Sequence, residues 1–270
     1  MLIILTLSGE YIMMIELLDK AELIVRNKEL RYPLAVAEKD YFLALVLSII
    51  YNSPLKDKLV FKGGTALHHV YLPQLRFSED LDFSSPGASI TLEEMKKIVS
   101  SQDFLTIKKE YSSSSTLKIE KLSFVGPLGQ ENSLKIEIDC LQNVVLPTKN
   151  LWYNNEYGVE ANVRVMDIRE IAAEKIRAMN DRVRYRDFYD FSMIFLKLDV
   201  SLEEVLSLIG RKEVRNDINP QNIMSNWAVA KKDKKSEIST IFFKEEVDKE
   251  ETTRLLKKLN FSNIKKNIEK

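Results

Sequence analysis

Apolar residues recur along this chain with two periods, and the change from one to the other divides it. Ile15, Leu17, Leu18, Ala21, Ile24 and Val25 recur at helical spacing and predict a helix over 14–27. Pro33 precedes a second helix, 34–52. Its stretch Tyr41 to Ile50 is apolar nearly all round, the pattern of a buried helix, and Asn52-Ser53-Pro54 stops it. Lys58 to Phe61 reads as a short strand, Gly63-Gly64 as a turn, and Thr65 as the cap of a helix to Tyr71. Leu81 to Ser84 is the next strand and Leu92 to Ser101 an amphipathic helix. The segments 105–111, 116–125, 133–140 and 162–165 then take the strand period: Leu134, Ile136, Ile138 and Cys140 alternate with Lys135, Glu137 and Asp139. From Ile168 the period is helical again, with Ile168, Ala172, Ile176, Met179 and Val183 in one stripe, then helices over 188–198 and 202–209. The expected division is an α/β part over 1–166 and a helical part over 167–270, with the charge-dense 231–257 a solvated helical surface.

Composition narrows the classes. Hydrophobic residues make up 45% of 270, enough to build a core. Lys+Arg and Asp+Glu both number 40, so no global field selects a polyanionic partner, although a local patch remains open. The single Cys140 excludes an internal disulfide framework and fits the reducing cytoplasm. The apolar opening from Met1 to Leu7 is shorter than the roughly 20 residues a membrane-spanning helix needs. It has no basic segment before it, so neither a span nor a signal peptide is expected, and residues 1–12 read as an extension outside the fold.

The chemistry concentrates in two neighbouring motifs. Gly63 and Gly64 lack Cβ atoms and let backbone N–H groups approach a ligand, and a helix beginning there offers unpaired N–H groups to phosphate. Lys62 precedes the glycines, so the P-loop pattern is absent. Asp80 and Asp82 stand two apart and point to one face of a strand, where two like charges favour a divalent cation. Mg²⁺ takes one or two carboxylates and completes its shell with phosphate oxygens and water. Taken singly, a glycine pair is also an ordinary turn and a D-x-D also a polar strand face. Asp139 is the best candidate for a third carboxylate, with Glu137 on the same face; a strand face salt-bridged by Lys135 is the alternative. On a continuous helix Lys175, Arg182 and Arg186 would share one face able to hold phosphates, with an ordinary charged surface as the plain alternative. His68 and His69 are adjacent and diverge on a helix, so they do not form a metal pair. Cys140 reads as core.

The segments Lys62-Gly63-Gly64-Thr65-Ala66-Leu67 and Arg76-Phe77-Ser78-Glu79-Asp80-Leu81-Asp82-Phe83 together resemble the signature of the AbiEii/AbiGii-type toxins. These are nucleotidyltransferases with a DNA-polymerase-beta-like core, related to the MenT toxins. Glu170, Ala173-Glu174-Lys175 and Arg186-Asp187-Phe188-Tyr189-Asp190 extend the likeness, which spans roughly 34–195. The resemblance implies an α+β fold, with a mixed-sheet core followed by a helical C-terminal part. It implies transfer of a nucleoside monophosphate from NTP to an acceptor such as tRNA, with Mg²⁺ or Mn²⁺ and release of pyrophosphate, and a cognate antitoxin encoded nearby. It would place Lys62, Gly63, Gly64 and Thr65 at the nucleotide phosphates, with Arg76 and Ser78 shaping the loop into the metal strand. Asp80, Asp82 and Asp139 would be at the metal, Lys175 at the triphosphate, and Asp187 would be the later acidic residue. The competing readings are the same enzyme acting on a small molecule or protein outside any toxin system, and a nucleotide-binding module without catalysis.

Overall fold

A computed structural model describes residues 2–7, 10–87, 90–212, 214–232 and 241–267. The chain forms two compact units. The first holds residues 1–70, 78–141 and 150–165, and the second holds 71–77, 142–149 and 166–270. The second unit thus takes two loops that the sequence pattern assigns to the α/β part.

The first unit is built on a mixed seven-stranded sheet of order β5-β6-β7-β4-β3-β9-β8. Its strands are β3 (Val60–Lys62), β4 (Asp80–Ser84), β5 (Leu105–Ser112), β6 (Thr116–Val125), β7 (Glu131–Asp139), β8 (Lys149–Trp152) and β9 (Asn162–Val165). β4 runs antiparallel to β3 and parallel to β7, so it is hydrogen-bonded on both edges at the middle of the sheet. Period-2 alternation becomes burial: Leu81 and Phe83 of β4 and Ile136 and Ile138 of β7 are buried on one face. The helix α2 (Leu34–Tyr51) is buried without a break from Asp40 to Tyr51, as an all-round apolar helix requires. Tyr51 and Phe61 meet Phe83 with ring centroids 6.3 and 5.5 Å away.

Four local expectations change. Residues 2–7 and 10–15 form an antiparallel hairpin, β1 (Leu2–Leu7) and β2 (Glu10–Ile15), where the sequence pattern suggests an extension followed by a helix from 14. Helix α1 (Lys20–Arg26) begins only at Asp19, because Asp19 and Glu22 form a reciprocal capping box. After β3 the helix α3 (Gly63–Ala66) starts at the glycine itself and passes into a π-helical turn over Leu67–Tyr71. Thr65 therefore lies inside the helix and does not cap it; its hydroxyl donates to the Asp80 carbonyl at 2.5 Å. β8 carries no alternation of its own and pairs at the edge beside β9. Helix α4 (Leu92–Val99) starts at the Thr91–Glu94 capping box.

The second unit contains α5 (Ile168–Asp181), α6 (Tyr185–Lys197), α7 (Leu202–Ile209), α8 (Pro220–Ala230) and α9 (Lys249–Lys257). Trp227 of α8 is buried against Tyr185 and Phe188 of α6. The continuous helix on which Lys175, Arg182 and Arg186 would share a face does not form. Arg182 is extended (φ −151°, ψ 154°), its N–H closes α5 on Ala178, and α6 starts at Tyr185. Lys175, Arg182 and Arg186 therefore do not share one helical face. Part of the charge-dense segment, 233–240, lies outside the described residues. Among the described residues no helix is long and apolar enough to cross a membrane.

Candidate active site

Asp80 and Asp82 project from the central strand on the face opposite Leu81 and Phe83, and both keep partial exposure. The register sets their neighbours. Asp82 lies opposite Lys62 on β3 and opposite Glu137 on β7, while Asp80 lies opposite Lys135 and Ser84 opposite Asp139. The sequence alternation shows that Glu137 and Asp139 share a face, but the register decides that Glu137 is beside Asp82 and that Asp139 is two residue pairs further on.

Charge is distributed unevenly over this face. Glu137 contacts Lys135 at 2.6 Å and Lys118 at 3.2 Å. Burial pushes its carboxyl up, but those two ammonium groups hold it below its ordinary value. Asp139 has Lys62 at 3.9 Å and accepts the Leu141 N–H at 3.0 Å. For Asp82, burial and the neighbouring Asp80 charge outweigh Lys62 and push the carboxyl up to about 6. A carboxylate pair so placed suits a divalent cation. Among the described residues no group of three or more His, Cys, Asp or Glu side chains is arranged to hold a metal. Asp80 and Asp82 can supply the two protein ligands that Mg²⁺ accepts, leaving the rest of its shell to phosphate oxygens and water.

Gly63 has a steric role beside them. Its φ is +79°, a conformation L side chains disfavour, and a Cβ there would collide with the Asp82 carboxylate. The turn therefore lies directly on β4, with Thr65 tying it to the Asp80 backbone. Lys62 and Thr65 are buried, Gly64 and Ser78 partly exposed. Glu79 is exposed and pairs with Lys39 at 3.0 Å.

The remaining predicted residues lie in the second unit and form a cluster of their own. Arg76 donates from Nε and Nη2 to the two oxygens of Asp190, each at 2.7 Å, a bidentate pair buried on both sides. Lys175 lies 2.6 Å from Asp190 and 3.4 Å from Asp187. Arg182 reaches Asp187 from Nε at 2.7 Å and Nη2 at 3.0 Å. Burial alone would push the Asp187 carboxyl up; Lys175 and Arg182 hold it below the usual carboxylate value. Asp190 is the residue whose importance sequence reasoning missed. Its place one turn after Asp187 is visible, but its partner Arg76 is 114 residues away. Glu170 explains another part of the sequence signature: its carboxylate accepts the Val145 and Leu146 N–H groups and meets buried Lys212 at 3.1 Å. His69 is buried at 3.4 Å from Asp40 with Nδ1 donating to the Asn154 carbonyl, and Cys140, just past the end of β7, is half-buried rather than core, its thiol pushed up by burial and by Asp139.

A glycine turn seated on a paired-carboxylate strand within a mixed sheet is the frame of a nucleotidyltransferase. The chain belongs to the family described as nucleotidyl transferase AbiEii toxin, type IV TA system, whose model matches residues 45–265. Two solved structures share the fold. MenT4, a nucleotidyltransferase toxin from Mycobacterium tuberculosis H37Rv, is 21% identical with a TM-score of 0.58, over 72% of this chain and 69% of that one. JHP933 from Helicobacter pylori is 20% identical with a TM-score of 0.52, over 83% and 89%. No curated protein matches the sequence. The protein is thus a nucleotidyltransferase of a toxin–antitoxin family, with NTP as its substrate class and an antitoxin as its implied partner.

Proposed function

We propose that this toxin transfers a nucleoside monophosphate from NTP to an acceptor hydroxyl on tRNA, releasing pyrophosphate, with Mg²⁺ held by Asp80 and Asp82. The observation that carries the reading is the Asp80–Asp82 pair on the central strand, with the Gly63 turn packed against Asp82. The bound cation would offset the charge that develops on the triphosphate as pyrophosphate leaves. The protein's own share is positioning: the Gly63-Gly64 backbone and Lys62 for phosphate oxygens, and β4 to fix the carboxylates. Thr65 and Ser78 shape the turn and the entry to β4. Asp139 lies two residue pairs along, opposite Ser84 and on the same face. Within the second unit, Asp190 and Asp187 hold the ammonium of Lys175, and Asp190 also takes the Arg76 fork.

The test is transfer of label from each of the four NTPs to total tRNA with Mg²⁺ or Mn²⁺. Asp80→Ala and Asp82→Ala should each abolish transfer and relieve growth inhibition in cells. Full transfer by either variant refutes the metal assignment. Label that enters protein or a small acceptor in place of tRNA refutes the acceptor.

A further inference from the structure

The face around Asp80 and Asp82 contains more built-in positive charge than a two-metal site calls for. A second ion, about 3.5–4 Å from the first in a two-metal site, would call on a further carboxylate beside Asp80 and Asp82. On this face the two candidates for that duty each have a lysine close by. Glu137 meets Lys118 and Lys135, and Asp139 faces Lys62. Those three ammonium groups stand against four carboxylates, counting Asp80 and Asp82, so the face has one negative charge in excess. A single divalent cation turns that excess into one positive charge, suited to receive a triphosphate. A second would add two more positive charges where lysines already stand.

Lys62 occupies the decisive position. It is the last residue of β3, directly opposite Asp82, and its side chain is only 8% exposed. Its ammonium lies 3.9 Å from Asp139 and its charge acts on Asp82, so it serves the two carboxylates that a second ion would have to bridge. Buried ammonium groups are held in place by such partners, since an unmatched charge there is costly.

We infer that Lys62 is a built-in substitute for the second metal, and that the site takes up one divalent cation per chain. The inference rests on the assignment of Asp80 and Asp82 as metal ligands.

The experiment is a titration of the full chain with Mn²⁺, followed by calorimetry and by the EPR signal of free Mn²⁺, with and without a non-hydrolysable NTP analogue. The wild type and Lys62→Arg should each bind one equivalent in the presence of the analogue. Lys62→Met should bind two. Without nucleotide, Lys62→Met should bind its first ion about tenfold more tightly, because a neighbouring positive charge is gone. Two equivalents on the wild type, or one equivalent with unchanged affinity on Lys62→Met, overturns the inference and leaves the metal assignment standing. Asp82→Asn separates the two levels: if it binds Mn²⁺ as the wild type does, the assignment of the carboxylates fails and the inference falls with it. Circular dichroism on each variant checks the fold, and two equivalents on the wild type overturn the inference even if Lys62→Met does not fold.

Discussion

Asp82→Asn should stabilise the metal-free protein while destroying its activity. Burial and the Asp80 charge raise the Asp82 carboxyl from 3.8 to about 6. A carboxyl whose pKa is higher in the folded state supports the fold while it is protonated. That contribution is complete below 3.8 and is lost as pH rises through about 6. At pH 8 the metal-free wild type therefore folds against a penalty of about 3 kcal/mol, at 1.36 kcal/mol per pKa unit. Asp82 retains some exposure, and solvent screening brings the expected gain down to about 1–2 kcal/mol. Asparagine has the same shape and fits the space against Gly63 without the charge. The assay is thermal unfolding in EDTA from pH 8 to pH 5, followed by the same series in Mg²⁺. For a chain of this size the melting temperature should rise by about 2–4 °C per kcal/mol at pH 8, with the difference shrinking toward pH 5. Mg²⁺ should raise the wild type and leave the variant unmoved, closing or reversing the gap. A variant that is less stable at pH 8 in EDTA, or a difference independent of pH, refutes the electrostatic account.

Gly63→Ala should cost about 1–2 kcal/mol from its positive φ alone and displace the Asp82 carboxylate as well, so transfer activity should fall much further than stability; equal losses in urea unfolding and in activity would count against the close approach. Asp190→Asn should destabilise the second unit by about 3–5 kcal/mol, because Arg76 and Lys175 are buried on it. Arg76→Lys, which keeps the charge but loses the fork, should show a smaller loss in the same denaturation assay.

Much of the local structure is legible in the chain. The Thr91–Glu94 capping box marks a helix start, whereas the Asp19–Glu22 box lies inside an apolar stripe that predicts a helix from 14. The all-round apolar run of α2 announces its burial, and the alternation of β7 announces its two faces. The D-x-D spacing by itself puts Asp80 and Asp82 on one side of a strand. The helix break at Arg182 is the clearest failure. Its residues fit a continuous helix, and nothing local forbids one, yet the chain turns there and the Arg182 guanidinium meets Asp187.

Sequence alone, then, determined which residues could do chemistry and which face each would take, because those properties repeat over two to four residues. Tertiary structure decided which of them are neighbours. The β4–β7 register put Glu137 beside Asp82 and Asp139 two pairs along, and the β3–β4 register put Lys62 opposite the same carboxylate. Long-range folding also drew Arg76 onto Asp190 and laid Gly63 against Asp82. Charge pairing and steric approach depend on distances across the fold, and a period read along the chain contains no information about them.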